Sequence, residues 1–416
     1  MEEKHVLSNG VRVLTEELPH VRSAAIGFWV DTGSKNETAE INGISHFIEH
    51  MLFKGTERRS AFQIAQAIED KGGSLNAFTD KEHTCYYARI LDSELPTAID
   101  VLTDMLVRPA FDPGELKRER QVVLEEIKMY EDTPDELVQD LFNLAFWGDH
   151  PLGRPIVGTR GTMRTANRDR AIAYMERFYT PDRVVVSVAG RFETPRVLAQ
   201  LEATIGQMRR PSTPLAETAP MARSNLKVRY KDIEQVHVVL GTEGVTMASP
   251  DRFAVTLLDA ILGGGMSSRL FQEVREKRGM AYSISSYEVM YAKAGIFGVY
   301  AGCSPQHLDE VVRLSLAEMD KVKAGEVTEE ELRRAKDQLK GGLLLSEESP
   351  RNRMSRMANS ELAFGRIHSV AEVLDGLEAV TLADLTRVAR EVMDTRTLTA
   401  TVVGPTRRVK IPGIAA

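Results

Sequence analysis

At 416 residues the chain exceeds one ordinary hydrophobic core, so two domains of about 200 residues each are expected. Its 43% hydrophobic and 27% charged residues are the composition of a soluble globular protein. A net charge of −7 argues against nucleic acid as the main partner, and nowhere do apolar residues run long enough for a membrane-spanning helix, so no membrane partner is expected.

The opening MEEKHVLSNGVRVL has no basic segment followed by an apolar run, so no signal peptide is read there. VRVLTEE (11–17), AAIGFWVDTG (24–33) and TCYYARIL (84–91) carry the β-branched and aromatic content of strands, and Asn9-Gly10 marks a turn before the first. SAFQIAQAIEDKG (60–72), SELPTAIDVLTDML (93–106) and GELKRERQVVLEEIKMYE (114–131) have helical periodicity. Cys85 and Cys303 are far apart and form no metal-spacing pair. They read as reduced thiols of a cytoplasmic protein, which leaves histidine and carboxylate to hold any metal.

Residues 207–224, QMRRPSTPLAETAPMARS, have linker composition, dividing the chain into domains at 1–206 and 225–416. The halves resemble each other. Residues 111–129 line up with 327–345, 68–79 with 274–285, and 183–190 with 397–404, all in the same order. The expected fold is therefore α+β: two duplicated, pseudo-symmetric domains, each a mixed, mostly antiparallel sheet covered by helices.

The segment NGISHFIEHMLFKGT (42–56) carries the chemistry. Ile44, Phe47, Ile48 and Met51 form an apolar stripe at helical spacing, while His46, Glu49 and His50 fall on another face. Two imidazoles four residues apart can converge on one ion, and the adjacent carboxylate can take a proton from water at that ion. This is the zinc-protease pattern with its order inverted, H-x-x-E-H. A helix whose two histidines merely face solvent would carry the same pentad.

A catalytic zinc takes three protein ligands. On the helix 115–130, Glu119 and Glu126 lie on nearly the same side, beside the stripe of Leu116, Val123, Ile127 and Tyr130, whereas Glu125 is turned about 100° away. A carboxylate near an apolar stripe is costly unless it is paired or binds a cation. Glu126 is thus the better third ligand, with Glu119 placed to pair with a histidine or orient the site, although solvated surface glutamates are common on such helices. In the duplicated half Glu119 meets Ala335, Glu126 meets Gly342, and His46 and His50 meet Thr256 and Ala260. Only the first half can hold metal this way, so one zinc per chain is expected.

With HFIEHMLFKGT and the later Glu126, the chain resembles the pitrilysin/insulinase-type zinc peptidases over essentially its full length, most closely the processing-peptidase subgroup similar to the mitochondrial processing peptidase β subunit. The resemblance implies hydrolysis of unfolded peptides inside a clamshell chamber, with Glu49 as the base. In GGGMSSRLFQEVREKRGMAYSISSY (263–287), Arg275 and Tyr282 match an Arg/Tyr pair that contacts substrate and the tetrahedral intermediate; helix surface and strand packing would also accommodate them. NAFT, Asn76, Ala77, Phe78 and Thr79, matches an edge strand that holds substrate backbone by strand addition. Carrying both residue sets on one chain implies an active homodimer. The competing expectation is a non-catalytic scaffold or assembly subunit of the same fold.

Overall fold

The computed structural model describes residues 2–212, 218–407, 409–411 and 414. Of the linker expected at 207–224, residues 213–217 lie outside the described residues. The chain forms two compact units. The first comprises Met1–Lys128, Pro155–Ala216 and Leu345–His368; the second comprises Met129–Arg154, Glu217–Leu344 and Ser369–Ala416.

The first unit is built on strands β1 (Glu2–Val6), β2 (Arg12–Glu17), β3 (Ser23–Val30), β4 (Ser74–Thr79), β5 (Thr84–Leu91) and β6 (Val184–Gly190). They lie in the order β1-β2-β6-β3-β5-β4. Only the β2–β6 pair is parallel; the rest are antiparallel. The central β6, VVVSVAG, is buried throughout, because helices cover both sheet faces and no position of it can face water. The edge strand β4 instead alternates exposed and half-buried residues.

The second unit repeats this plan with β7 (Asn225–Tyr230), β8 (Val236–Glu243), β9 (Ala281–Met290), β10 (Gly295–Cys303) and β11 (Thr399–Gly404). Their order, β7-β11-β8-β10-β9, matches β2-β6-β3-β5-β4 position by position, and again only the first pair is parallel. The duplication read from three sequence matches is thus a duplicated topology.

The units are not the contiguous halves 1–206 and 225–416. Helix Pro134–Trp147, from the first half, packs Val138, Phe142 and Phe146 against Val239, Ile296 and Val403 in the second unit. Its counterpart Pro350–Phe364 packs Met354, Met357 and Ala358 against Leu14, Ala25, Trp29 and Val185 in the first. Each sheet therefore carries a helix from the other half of the chain. Both cysteines are buried and free, and no helix among the described residues is long and apolar enough to cross a membrane.

Candidate metal centre

The motif helix runs Ile44–Leu52. It starts at Gly43, whose φ of 94° is left-handed, and a Cβ there would stand 2.7 Å from the Val157 carbonyl oxygen. Only glycine tolerates both conditions. The first turn has no side-chain cap of its own. Its amides are instead satisfied by the buried Glu37, whose carboxylate accepts from Gly43 N at 2.6 Å and Ser45 N at 2.8 Å. The Asn42 side chain donates to it as well, at 2.9 Å. A carboxylate at a helix N-terminus is also favoured by the helix dipole. Burial outweighs these donors and pushes the Glu37 carboxyl up to about 7. Ser45 Oγ adds a hydrogen bond to Tyr174 Oη at 2.9 Å.

Ile44, Phe47, Ile48 and Met51 are buried, as their stripe predicts. His46 and His50 present Nε2 atoms 3.2 Å apart. Glu126, on the long helix Pro113–Asp132, places one oxygen 3.7 Å from His46 Nε2 and the other 3.5 Å from His50 Nε2. Among the described residues these three form a group able to hold a metal ion, with donor atoms all within 4.8 Å of one another. A tetrahedral zinc with bonds of about 2.0 Å separates its ligands by about 3.3 Å. The donor spacing and the donor chemistry, two imidazoles and a carboxylate, therefore fit zinc.

The electrostatics agree. Burial, and then His50, hold the His46 ring down to about 3, so it is neutral with a lone pair available. Burial would lower His50 too, but Glu119, Glu126 and Glu49 outweigh it and raise the ring. That field attracts positive charge to His50. Burial raises the Glu126 carboxyl, so its ionised form is favoured only beside a cation.

Glu119 is buried and accepts from His50 Nδ1 at 2.9 Å. Because Nδ1 donates there, the Nε2 lone pair of His50 is left for the ion. Burial alone would raise the Glu119 carboxyl, but hydrogen bonds from His50 and Lys54 hold it below the ordinary value. His46 has no such support, since its Nδ1 is buried without a hydrogen-bond partner among the described residues. Glu49 stands on the same helix with its carboxyl raised by burial, and Thr79 Oγ1 donates to its Oε2 at 2.6 Å. Glu125 is turned outward, with its side chain 78% exposed.

The structure thus gathers His46, His50, Glu126, Glu49, Glu119 and Thr79 in the first unit. Asn76, Ala77 and Phe78 continue along β4 from Thr79, and Asn76 Oδ1 accepts from Ala77 N at 2.8 Å. Arg275 and Tyr282 form a pair in the second unit, the guanidinium 5.4 Å from the Tyr282 ring and 4.8 Å from that of Phe271. Tyr282 is 76% exposed. Sequence reasoning missed Glu37, Lys54 and the Thr79–Glu49 bond. Lys54 had a readable signal, four residues after His50; Glu37 had none.

Residues 12–160 match the family described as Insulinase (Peptidase family M16), and residues 165–339 match Peptidase M16 inactive domain. The chain is 43% identical to YmxG, an uncharacterized zinc protease of Bacillus subtilis, over 94% of this chain and 95% of the relative. It is 42% identical to an uncharacterized zinc protease of Mycobacterium tuberculosis, over 96% of this chain and 92% of that one. A protease from Helicobacter pylori superposes with a TM-score of 0.91 at 22% identity, covering 97% of this chain and 99% of the other. At that identity the likeness speaks for the fold alone.

Proposed function

The chain belongs to the insulinase family of peptidases (M16), and from that premise we propose that it is a zinc metalloendopeptidase cleaving unfolded peptides. The observation that carries the reading is the convergence of His46, His50 and Glu126 beside Glu49. Zinc bound by those three residues would supply Lewis acidity toward a scissile carbonyl and lower the pKa of attacking water.

The chain's own residues do the rest. Glu49 takes the proton of the attacking water and returns it to the leaving amine. Thr79 fixes one Glu49 oxygen, which leaves the other for that proton. Glu119 orients His50. The free edge of β4 takes the peptide backbone by strand addition, and in the homodimer Arg275 of the partner subunit with Tyr282 of the partner subunit stabilises the developing oxyanion.

The rest of the reading is one zinc per chain and a homodimer of processing-peptidase type. It would enclose a clamshell chamber and work in the cytoplasm. The absence of every candidate ligand at Thr256, Ala260, Ala335 and Gly342 supports the single metal site.

The test is Glu49→Gln with a quenched fluorogenic peptide and zinc analysis of the same sample. The variant is expected to keep its zinc while cleavage falls by about 10²–10⁴-fold. Unchanged turnover, or wild-type protein that neither holds zinc nor is rescued by it, would remove the basis of the reading.

A further inference from the structure

Arg351 is an exposed residue near the start of helix Pro350–Phe364. Its guanidinium lies over the ring of Tyr87, 4.7 Å from the centroid, and its Nη2 donates to Tyr87 Oη at 2.8 Å. Among the described residues no carboxylate pairs with it. Ordering an arginine side chain costs rotamer entropy. Here stacking and one hydrogen bond hold the side chain while its charge stays uncompensated.

Tyr87 on β5 stands directly opposite Asn76 on β4, and Cys85 opposite Phe78. Directly opposed residues share a sheet face, and so do residues two apart along a strand. Asn76, Phe78 and Tyr87 therefore lie on one face, with the Phe78 and Tyr87 rings 6.4 Å apart. Ala77 and Thr79 lie on the other, where Thr79 meets Glu49. β4 thus separates a catalytic face from an Arg351 face.

β4 is also the end of the sheet. The Ala77 N–H is taken up by the neighbouring Asn76 side chain, so it points away from β5. By the alternation of an antiparallel ladder, the N–H groups of Leu75 and Thr79 point outward too. These are the donors an added strand would use, the Ala77 N–H by displacing Asn76 Oδ1.

We propose that Phe78, Tyr87 and Arg351 wall a specificity subsite for an acidic side chain, glutamate above all, of a peptide laid along β4. The proposal rests on the peptidase reading. A strand added about 4.8 Å beyond β4 sends alternate side chains to the Phe78 face. Diagonal neighbours about 7–8 Å apart remain within reach of long side chains. The methylenes of a glutamate would cover Phe78, which is 39% exposed. Its carboxylate would meet a guanidinium already held by Tyr87, a charge-assisted contact. Aspartate is shorter and falls behind. Because side chains alternate, the preference belongs to one substrate position and not to the positions immediately beside it.

The experiment uses the zinc-loaded full chain and end-blocked fluorogenic peptides of one sequence, with Glu, Gln or Lys scanned through the positions around the scissile bond. At one position kcat/KM for Glu is expected to exceed that for Gln by roughly 10–100-fold. Arg351→Gln should bring that ratio near one, and Arg351→Glu should turn the preference toward Lys at the same position. The ratio is read within each variant, so a general loss of turnover does not disturb it. Cleavage with an unchanged Glu/Gln ratio in both variants overturns the subsite. No zinc-dependent cleavage of any peptide by the wild type would instead overturn the peptidase reading beneath it.

Discussion

Lys54 Nζ lies 2.9 Å from one oxygen of Glu119, whose other oxygen accepts from His50 Nδ1 at the same distance. The three residues form a chain from a half-exposed cation, through a buried anion, to a ring of the candidate metal centre. Lys54 keeps Glu119 ionised, and an ionised Glu119 keeps the proton of His50 on Nδ1. Partners at this remove from a metal typically tune affinity by 10–100-fold. Lys54→Met is therefore expected to weaken zinc binding by roughly tenfold or more in a chelator competition, with Lys54→Arg restoring most of it. Equal zinc affinity in the wild type and Lys54→Met would show that His50 alone positions Glu119.

The choice between two neighbouring glutamates can be tested separately. Glu126 faces both Nε2 atoms, whereas Glu125 makes a loose contact with Lys128 at 3.9 Å, which is worth little on a surface. After dialysis, Glu126→Gln is expected to lose most of its zinc by elemental analysis, and Glu125→Gln to retain it. The reverse pattern would exchange their roles.

Much of this centre was legible because it depends on helical geometry alone. The spacing of His46, Glu49 and His50 sets their face, and the apolar stripe of the long helix separates Glu126 from Glu125. The duplicated text likewise anticipated the repeated sheet order. What stayed hidden depends on which distant segments meet. The helices Pro134–Trp147 and Pro350–Phe364 read as ordinary amphipathic helices, and nothing in their periodicity says which sheet each will cover. Glu37 precedes the motif helix within irregular chain and becomes its cap only when the loop folds back. Arg351 and Tyr87 are far apart in sequence and meet only through that helix exchange.

Glu37 also gives the fold a pH signature. Burial pushes its carboxyl from 4.5 up to about 7. The folded protein therefore holds a proton that the unfolded chain has already released between those values. Where the folded state binds more protons, stability falls as pH rises. The Glu37 contribution is thus fully present below pH 4.5 and is lost as pH climbs to about 7. The total is on the order of 3 kcal/mol, since each pH unit across the window carries about 1.4 kcal/mol. Glutamine resembles the protonated carboxyl in shape and hydrogen bonding but does not titrate. In urea unfolding of the full chain, the wild type is expected to lose more stability than Glu37→Gln between pH 5 and pH 8. Other groups, Asp259 with its carboxyl raised to about 6 among them, titrate alike in both proteins and cancel from the difference. Parallel pH profiles would mean that the amides of Gly43 and Ser45 keep Glu37 ionised in the folded state, and that the motif helix is capped by a permanent anion.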